Sequence, residues 1–238
     1  SLEKAVVIAR QQYADTLNAL CSVYAAAASA AEFAAGSLER QTELFKIAVR
    51  PLLGGKCKTA YFLFDALRYE MAAELLEGMG DDYKGTLEPV LGQLPGITHV
   101  GMAALLPGAE QGLSLEKKGA GLCVGLSGHF LATRQDRVAW IQEQAGVPTA
   151  VYRLGEVVKL SPKRKKEIEA ANLIVVTAQE IDRLGEEGPD EEEYRIYMDE
   201  VLEKARRVIR SLARVGVHEF VMCTDHGFQL VAAMDPGL

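Results

Sequence analysis

The chain has 238 residues, 49% of them hydrophobic and 25% charged, enough to bury a full core with no long polar tract. Its formal charge of -7, from 33 acidic and 26 basic residues, argues against a protein that coats nucleic acid by charge alone. The four cysteines, Cys21, Cys57, Cys123 and Cys223, lack the close spacing of a zinc finger or disulfide framework and read as small core residues of a reducing cytoplasm.

Residues 2 to about 34 are Ala-rich and carry Leu2, Val6, Ile8, Tyr13, Leu17, Leu20, Val23 and Tyr24 near helical period. Arg10, Gln11, Gln12, Asp15 and Glu32 interrupt the run, so it fails as a membrane span of ~20 apolar residues. Gly36 and Ser37 break it. A second helix is expected from Ser37 to about Arg50, ended by Pro51 and the Gly54-Gly55 pair. Residues 1–55 therefore read as an N-terminal helical segment, the end of a preceding region, with no visible chemistry. The start on SLEKAVV and the stop at MDPGL both look like cuts within something longer.

From Lys56 the pattern alternates between strands and helices, which predicts an α/β fold. The run Thr59–Phe64 is a buried strand that stops abruptly at Asp65, and a helix is expected from about Ala66 to Met79. A strand-like Thr86–Val90 follows. Ile97-Thr98-His99 then leads into GMAALLPG, one or two turns of helix stopped by Pro107. The Gly-rich stretch Gly112–Phe130 reads as a hairpin or loop excursion; its glycines lack the dinucleotide-binding spacing. Helices are expected over Arg134–Ala145 and Pro162–Ala171, with an extended piece at Val147–Arg153 between them. The Lys163–Lys166 run is most simply the solvated start of the second of these, with nucleic-acid contact as the minority reading. Leu173–Thr177 is a second apolar strand, followed by a polar loop AQEIDRLGEEG. Asp190–Val215 is the clearest helix, acidic at its start and rich in Arg toward its end. After Gly216, the strand Val217–Cys223 ends in Thr224-Asp225-His226-Gly227.

Three buried strands thus release polar groups at their carboxyl ends: Asp65, the Asp182 loop and Asp225-His226. In a parallel doubly wound sheet these ends share one edge. Carboxylates gathered there repel unless a divalent cation neutralises them, and a mixture of carboxylate oxygen with one His nitrogen suits zinc, manganese or magnesium. Gly227 is expected to let Asp225 and His226 turn toward the same ion. Asp182 and Glu186, four residues apart, point the same way if the loop carries a helical turn. Coordination to a cation would lower the pKa of the Thr98 hydroxyl and aim it, and His99 beside it is placed to contact a phosphate. Each feature has a plainer reading: Asp65 and Thr98 as helix caps, Asp225-His226 as a turn, Asp182 and Glu186 as an acidic helix face.

The segments DALRYE at 65–70, LPGITHVGMAALLP at 94–107, EIDRLGE at 180–186 and TDHGF at 224–228 occur in the order seen in PglZ domains, which the chain resembles from Lys56 to its end. That family belongs to the alkaline phosphatase superfamily and occurs in bacterial phage-exclusion (BREX) and phage-growth-limitation systems. The resemblance implies an alkaline-phosphatase-like, doubly wound, mostly parallel sheet flanked by helices over residues 56–238. It also implies a centre of up to two metal ions, zinc foremost, for phosphoester hydrolysis in the cytoplasm. Asp65, Asp225 and His226 match ligands of one metal, Thr98 matches the nucleophile that also touches that metal, and Asp182 and Glu186 match ligands of the second. Implied partners are a phosphoester substrate, a nucleic acid among the options, and other phage-defence proteins, with no membrane. Two departures are visible. Glu186 stands where the superfamily has His, and Ala178-Gln179-Glu180-Ile181-Asp182 replaces a His-Asn-Gln-Ile-Asp run common in the family. The superfamily's last His ligand lies beyond the Asp-His-Gly motif, so the domain reads as truncated at its C-terminus. The alternative to a hydrolase is a scaffold or sensing module with little or no turnover.

Overall fold

A computed structural model describes residues 2–33, 36–118, 121–187 and 191–228. Two compact units emerge, one holding residues 1–37 with 228–238 and the other Leu38–Gly227. In the first, the Ala-rich sequence forms a single helix, α1 (Leu2–Ala30), braced along one side by Gln11 on Asp15. Glu32 and Phe33 take left-handed backbone angles directly after it, which ends the helix as expected. No described helix is long and apolar enough to cross a membrane.

The second unit opens with β1 (Glu39–Arg40), a 3-10 turn (Gln41–Glu43), a π-type turn (Phe45–Val49) and α2 (Arg50–Leu53). The helix expected from Ser37 to Arg50 therefore starts later and runs through Pro51. Proline lies in the first turn of α2, where its missing N–H has no partner to lose, and Gly54 ends the segment instead.

Four strands form the central sheet: β2 (Lys58–Phe64), β7 (Thr149–Arg153), β8 (Leu173–Ala178) and β9 (Val217–Thr224). Their order is β7-β8-β2-β9 and every pairing is parallel. The β-branched and aromatic runs TAYFLF and LIVV suit strands covered on both faces, and β2 is buried along almost its whole length. The register brings the strands to a common finish: Phe64 lies opposite Ala178 on one side and Thr224 on the other.

One face of the sheet carries Tyr61, Leu63, Leu173 and Val175 against α4 (Thr98–Ala104) and α5 (Arg134–Gln144). There Tyr61 meets Phe45 edge-on at 5.8 Å and donates its hydroxyl proton to the Leu105 carbonyl at 2.8 Å. Each such buried side chain contributes roughly 1.5–3 kcal/mol. On alternate positions Phe62 stacks with Phe64, and α8 (Glu191–Ala213) packs on β9 and on α3 (Tyr69–Glu77). The remaining strands stand apart from this sheet. β3 (Val90–Leu91) pairs with β1, and β4 (Leu113–Lys118), β5 (Gly121–Leu126) and β6 (His129–Phe130) form the expected antiparallel excursion. α6 (Pro162–Ala170) holds the Lys163–Lys166 run on a largely exposed face, with Lys163 and Arg164 facing Glu167 and Glu156.

Three sequence expectations are corrected. The helix after Asp65 begins at Tyr69, because Ala66 takes φ 65, a left-handed angle incompatible with a first helical turn. The strand expected at Thr86–Val90 shrinks to Val90–Leu91, since Pro89 has no N–H for a ladder. The supposed polar loop after β8 is a helix, α7 (Glu180–Glu187).

Candidate active site

The sheet edge gathers the polar ends. The last rungs of the ladder are Asp65 N–H donating to the Ala178 carbonyl at 2.8 Å and Asp225 N–H donating to the Phe64 carbonyl at 3.3 Å. Asp65 and Asp225 are thus the first residues past two adjacent strands, and both are only 2% exposed. Neither caps a helix: α3 has Arg68 at its N-cap with no side-chain bond, so the cap reading of Asp65 fails.

Asp225 is held from several sides. Its Oδ1 accepts from Ala66 N–H at 3.0 Å and from His226 N–H at 2.8 Å, while Oδ2 is buried with no hydrogen-bond partner among the described residues. The turn is closed by Thr224, whose hydroxyl donates to the His226 carbonyl at 2.7 Å. Gly227, expected to supply the bend, does not take a left-handed φ, so the side chains of Thr224 and Asp225 shape this turn. His226 Nδ1 lies 3.1 Å from the Gly227 carbonyl, which can only accept, so Nδ1 is the donor there and Nε2 is the ring nitrogen turned to the cluster.

That Nε2 faces Asp65 Oδ1 at 3.5 Å, Asp225 Oδ2 at 3.6 Å and the Thr98 hydroxyl at 3.1 Å. Thr98 is the first residue of α4, after Ile97 at the N-cap, so its hydroxyl is not engaged in capping. It also lies 3.4 Å from Asp65 Oδ1. Asp182, in the first turn of α7, completes the group: ligand atoms of Asp65, Asp182 and His226 lie within 4.8 Å of one another. Glu186 follows one turn later on the same helix, and its side chain lies outside the described residues. His99 is exposed beside Thr98, and none of the described hydrogen bonds joins it to the cluster. Of the replaced family positions, Ala178 ends β8, and Glu180 is drawn to Lys204 of α8 at 2.7 Å.

Electrostatics mark the cluster as incomplete without a positive charge. Burial first, then Asp225 and Asp182, raises the Asp65 carboxyl to about 7, against some relief from His226. Burial also raises Asp225, opposed by the N–H groups of Ala66 and His226 and by the His226 ring. Carboxylate oxygens this close repel unless a proton or a cation lies among them. The buried, unpartnered Asp225 Oδ2 and the mixed oxygen and nitrogen donors fit a divalent ion.

Two supporting residues escaped sequence reasoning. Gln41, 2% exposed, donates to the Thr224 and Asp225 carbonyls at 2.8 and 2.7 Å and accepts from Gln93 N–H at 2.8 Å, so one side chain from the start of the unit grips its last strand. Nothing local in QTELF announces that role. Gly101, one turn after Thr98, lies so close to β9 that a Cβ there would overlap the Asp225 carbonyl. A glycine inside a short apolar helix was the available signal.

The chain matches the family described as the BREX system PglZ alkaline phosphatase-like domain over residues 44–234. It is 23% identical over 195 residues to the alkaline phosphatase-like protein PglZ of Bacillus cereus (strain H3081.97), an alignment that takes in 80% of this chain and 22% of that protein. The chain therefore spans less than a quarter of the length of the curated relative it matches. That match takes in the central sheet, the strand ends that bring Asp65, Asp182 and Asp225-His226 to the common edge, and the start of α4 with Thr98, and on this footing the chain belongs to the PglZ alkaline phosphatase-like domain family.

Proposed function

We propose that this domain is a divalent-metal-dependent phosphoester hydrolase, a phosphatase or phosphodiesterase, acting in the cytoplasm with other proteins of a phage-defence system. The observation that carries the reading is the meeting of Asp65, Asp182 and His226 within 4.8 Å, with the Thr98 hydroxyl 3.1 Å from His226 Nε2. Asp65, Asp225 and His226 would hold one ion, and Asp182 with Glu186 would hold a second or share the first. Zinc suits the single imidazole among carboxylates, with manganese and magnesium as harder alternatives. Bound there, a divalent ion would lower the pKa of a coordinated hydroxyl and offset charge on the phosphoryl group.

The protein's own part is positional. Gly101 brings α4 against the end of β9, so the Thr98 oxygen sits beside the ligand cluster rather than at the helix surface. Thr98 Oγ would attack phosphorus as its proton passes to solvent water. The leaving alkoxide would take a proton from water, and a second water would then cleave the phosphothreonine to give inorganic phosphate or a monoester and restore the hydroxyl. Nδ1–H on the Gly227 carbonyl orients the His226 ring so that Nε2, 3.1 Å from the Thr98 hydroxyl, would face the ion.

The test is hydrolysis of an aryl phosphate and an aryl phosphodiester by full-length protein supplied with zinc or manganese. Thr98→Ala should reduce kcat by at least about a thousandfold, and Thr98→Ser should retain activity. Equal rates in wild type and Thr98→Ala would remove the covalent assignment.

A further inference from the structure

We propose that a cleft beside β4 is a docking site for an extended segment of a partner protein, which adds as a strand to the open edge of β4 and lays a lysine or arginine side chain against Glu110. The cleft, about 450 Å³, lies between the 3-10 turn at Gln41–Glu43, a second 3-10 turn (Ala109–Gln111) and the start of β4. It is separate from the strand-end cluster: none of Asp65, Thr98, Asp182, Asp225 and His226 lines it. Val100, which does, lies roughly 200° round α4 from Thr98.

Three charged side chains line the cleft, and their situations differ. Glu43 is neutralised by Lys46, whose Nζ donates to it at 2.8 Å. Arg40 is exposed at the end of β1, where water solvates its charge. Glu110 is half-buried and makes no ion pair within 4.0 Å among the described residues. Lys46, raised chiefly by its bond to Glu43, feels Glu110 only from beyond that distance. The Glu110 Oε2 is turned inward without a hydrogen-bond partner and has no accessible surface, so an incoming cation would meet Oε1. A recessed carboxylate without a counter-ion favours a cation brought to it from outside. Among the described residues the acids here do not form a group close enough to hold a metal ion, which leaves a side-chain ammonium or guanidinium as the cation that fits. Val100, Leu113 and Leu115 give its methylene stem an apolar wall, and Leu115 is 43% exposed.

The backbone supplies the other half of the site. β4 pairs with β5 alone, so the N–H and C=O groups along its outer edge have no backbone partner among the described residues. Charges, prolines and bulges usually protect such an edge. Here the pairing runs from Leu113 to Lys118 without a bulge, Leu113-Ser114-Leu115 carries neither charge nor proline, and the charges begin only at Glu116. The unprotected half of the edge is the half beside the cleft. Leu113 and Leu115 share one face of the strand and both line the cleft, so a strand added along this edge would place alternate side chains over it. Main-chain bonds would then hold the segment, and Glu110 would select its basic residue.

The experiment selects a library of random octapeptides on immobilised full-length protein, then titrates the enriched sequences, synthesised with a fluorescent label, by polarisation. The expected consensus is a lysine or arginine with β-branched or apolar residues two positions to either side. Glu110→Gln should weaken binding of these peptides on the order of tenfold, and Leu115→Arg, at an exposed position of the cleft wall, should weaken it at least as much. N-methylation of one alternate set of peptide N–H groups should abolish binding, and N-methylation of the other set should leave it intact. Hydrogen exchange of the Leu113–Lys118 amides should slow when the peptide is bound. A selection that enriches no sequence overturns the proposal, and so does a consensus without a basic residue. Binding by Glu110→Gln within about twofold of wild type overturns it as well, as does unchanged exchange along β4. Should Glu110→Gln fail to fold, the same contact is tested from the peptide, where citrulline in place of its arginine, or norleucine in place of its lysine, must lose the affinity; retained affinity refutes the site.

Discussion

Replacing Asp65 with Asn should stabilise the metal-free protein and remove most of the stabilisation that metal binding gives. Burial and the neighbouring acids raise the Asp65 carboxyl from its ordinary 3.8 to about 7 on folding. A group raised in this way contributes its full stability below about pH 4, where both folded and unfolded chains hold the proton, and the contribution is lost as pH climbs through about 7. At about 1.4 kcal/mol per pKa unit the loss approaches roughly 4 kcal/mol by pH 8, an upper limit because Asp225 competes for the same proton. Asn keeps the neutral form at every pH. Its advantage over wild type in chelator-treated protein should therefore grow by about 3 kcal/mol between pH 4.5 and pH 8. Urea denaturation read by fluorescence measures this directly, since the chain has one tryptophan, Trp140, 6% exposed and hydrogen-bonded to the Pro107 carbonyl at 2.9 Å. Zinc at a hundred times its dissociation constant should add about 2.7 kcal/mol to wild type and far less to Asp65→Asn, closing most of the gap at pH 8. An Asn advantage that does not change with pH, or wild type the more stable without metal at pH 8, would refute the picture of a charge-strained carboxylate cluster.

Gly101→Ala should cost about 1–3 kcal/mol of stability, because the new methyl group must displace the Asp225 backbone, and metal affinity measured by competition with a chromogenic chelator should fall with it. Gln41→Ala leaves the Thr224 and Asp225 carbonyls without their donor and should destabilise by roughly 2–4 kcal/mol in urea. The same variant should weaken metal binding on the order of tenfold or more, since Gln41 orients the Asp225 backbone without being a ligand.

The strands that matter were legible because fully buried parallel strands leave an unmistakable mark: short unbroken apolar runs ending in a polar residue, as in TAYFLF before Asp65 and LIVVT before the Asp182 segment. The α/β class and the meeting of Asp65, Asp182 and His226 at one edge follow from those runs once the sheet is parallel, whereas Thr98 is brought there by the packing of α4. Local appearances misled where tertiary packing decided. AQEIDRLGEEG reads as a loop through its glycines and acids, yet it forms α7, which packs against α8. Ala66 reads as the first residue of a helix, yet its N–H is needed by Asp225, and it takes a left-handed turn there. Gln41 was invisible for a different reason. A polar side chain acquires its role from what lies next to it after folding, and Gln41 lies 184 residues from the carbonyl it holds.

The parallel pairing of β2 with β9 has a consequence for synthesis. The central strand of the sheet leaves the ribosome about 160 residues before the neighbour that covers one of its edges, as the separation of Ala66 from its Asp225 partner indicates. At 5–20 residues per second, this leaves an apolar strand with an open hydrogen-bonding edge for on the order of ten seconds or more. During that interval Asp65 has neither Asp225 nor His226 beside it, so the nascent chain cannot assemble the ligand cluster. Capture of a metal at this edge would thereby be tied to completion of the sheet, and a nascent-chain chaperone would have its greatest effect on the yield of folded protein while β2 waits for β9.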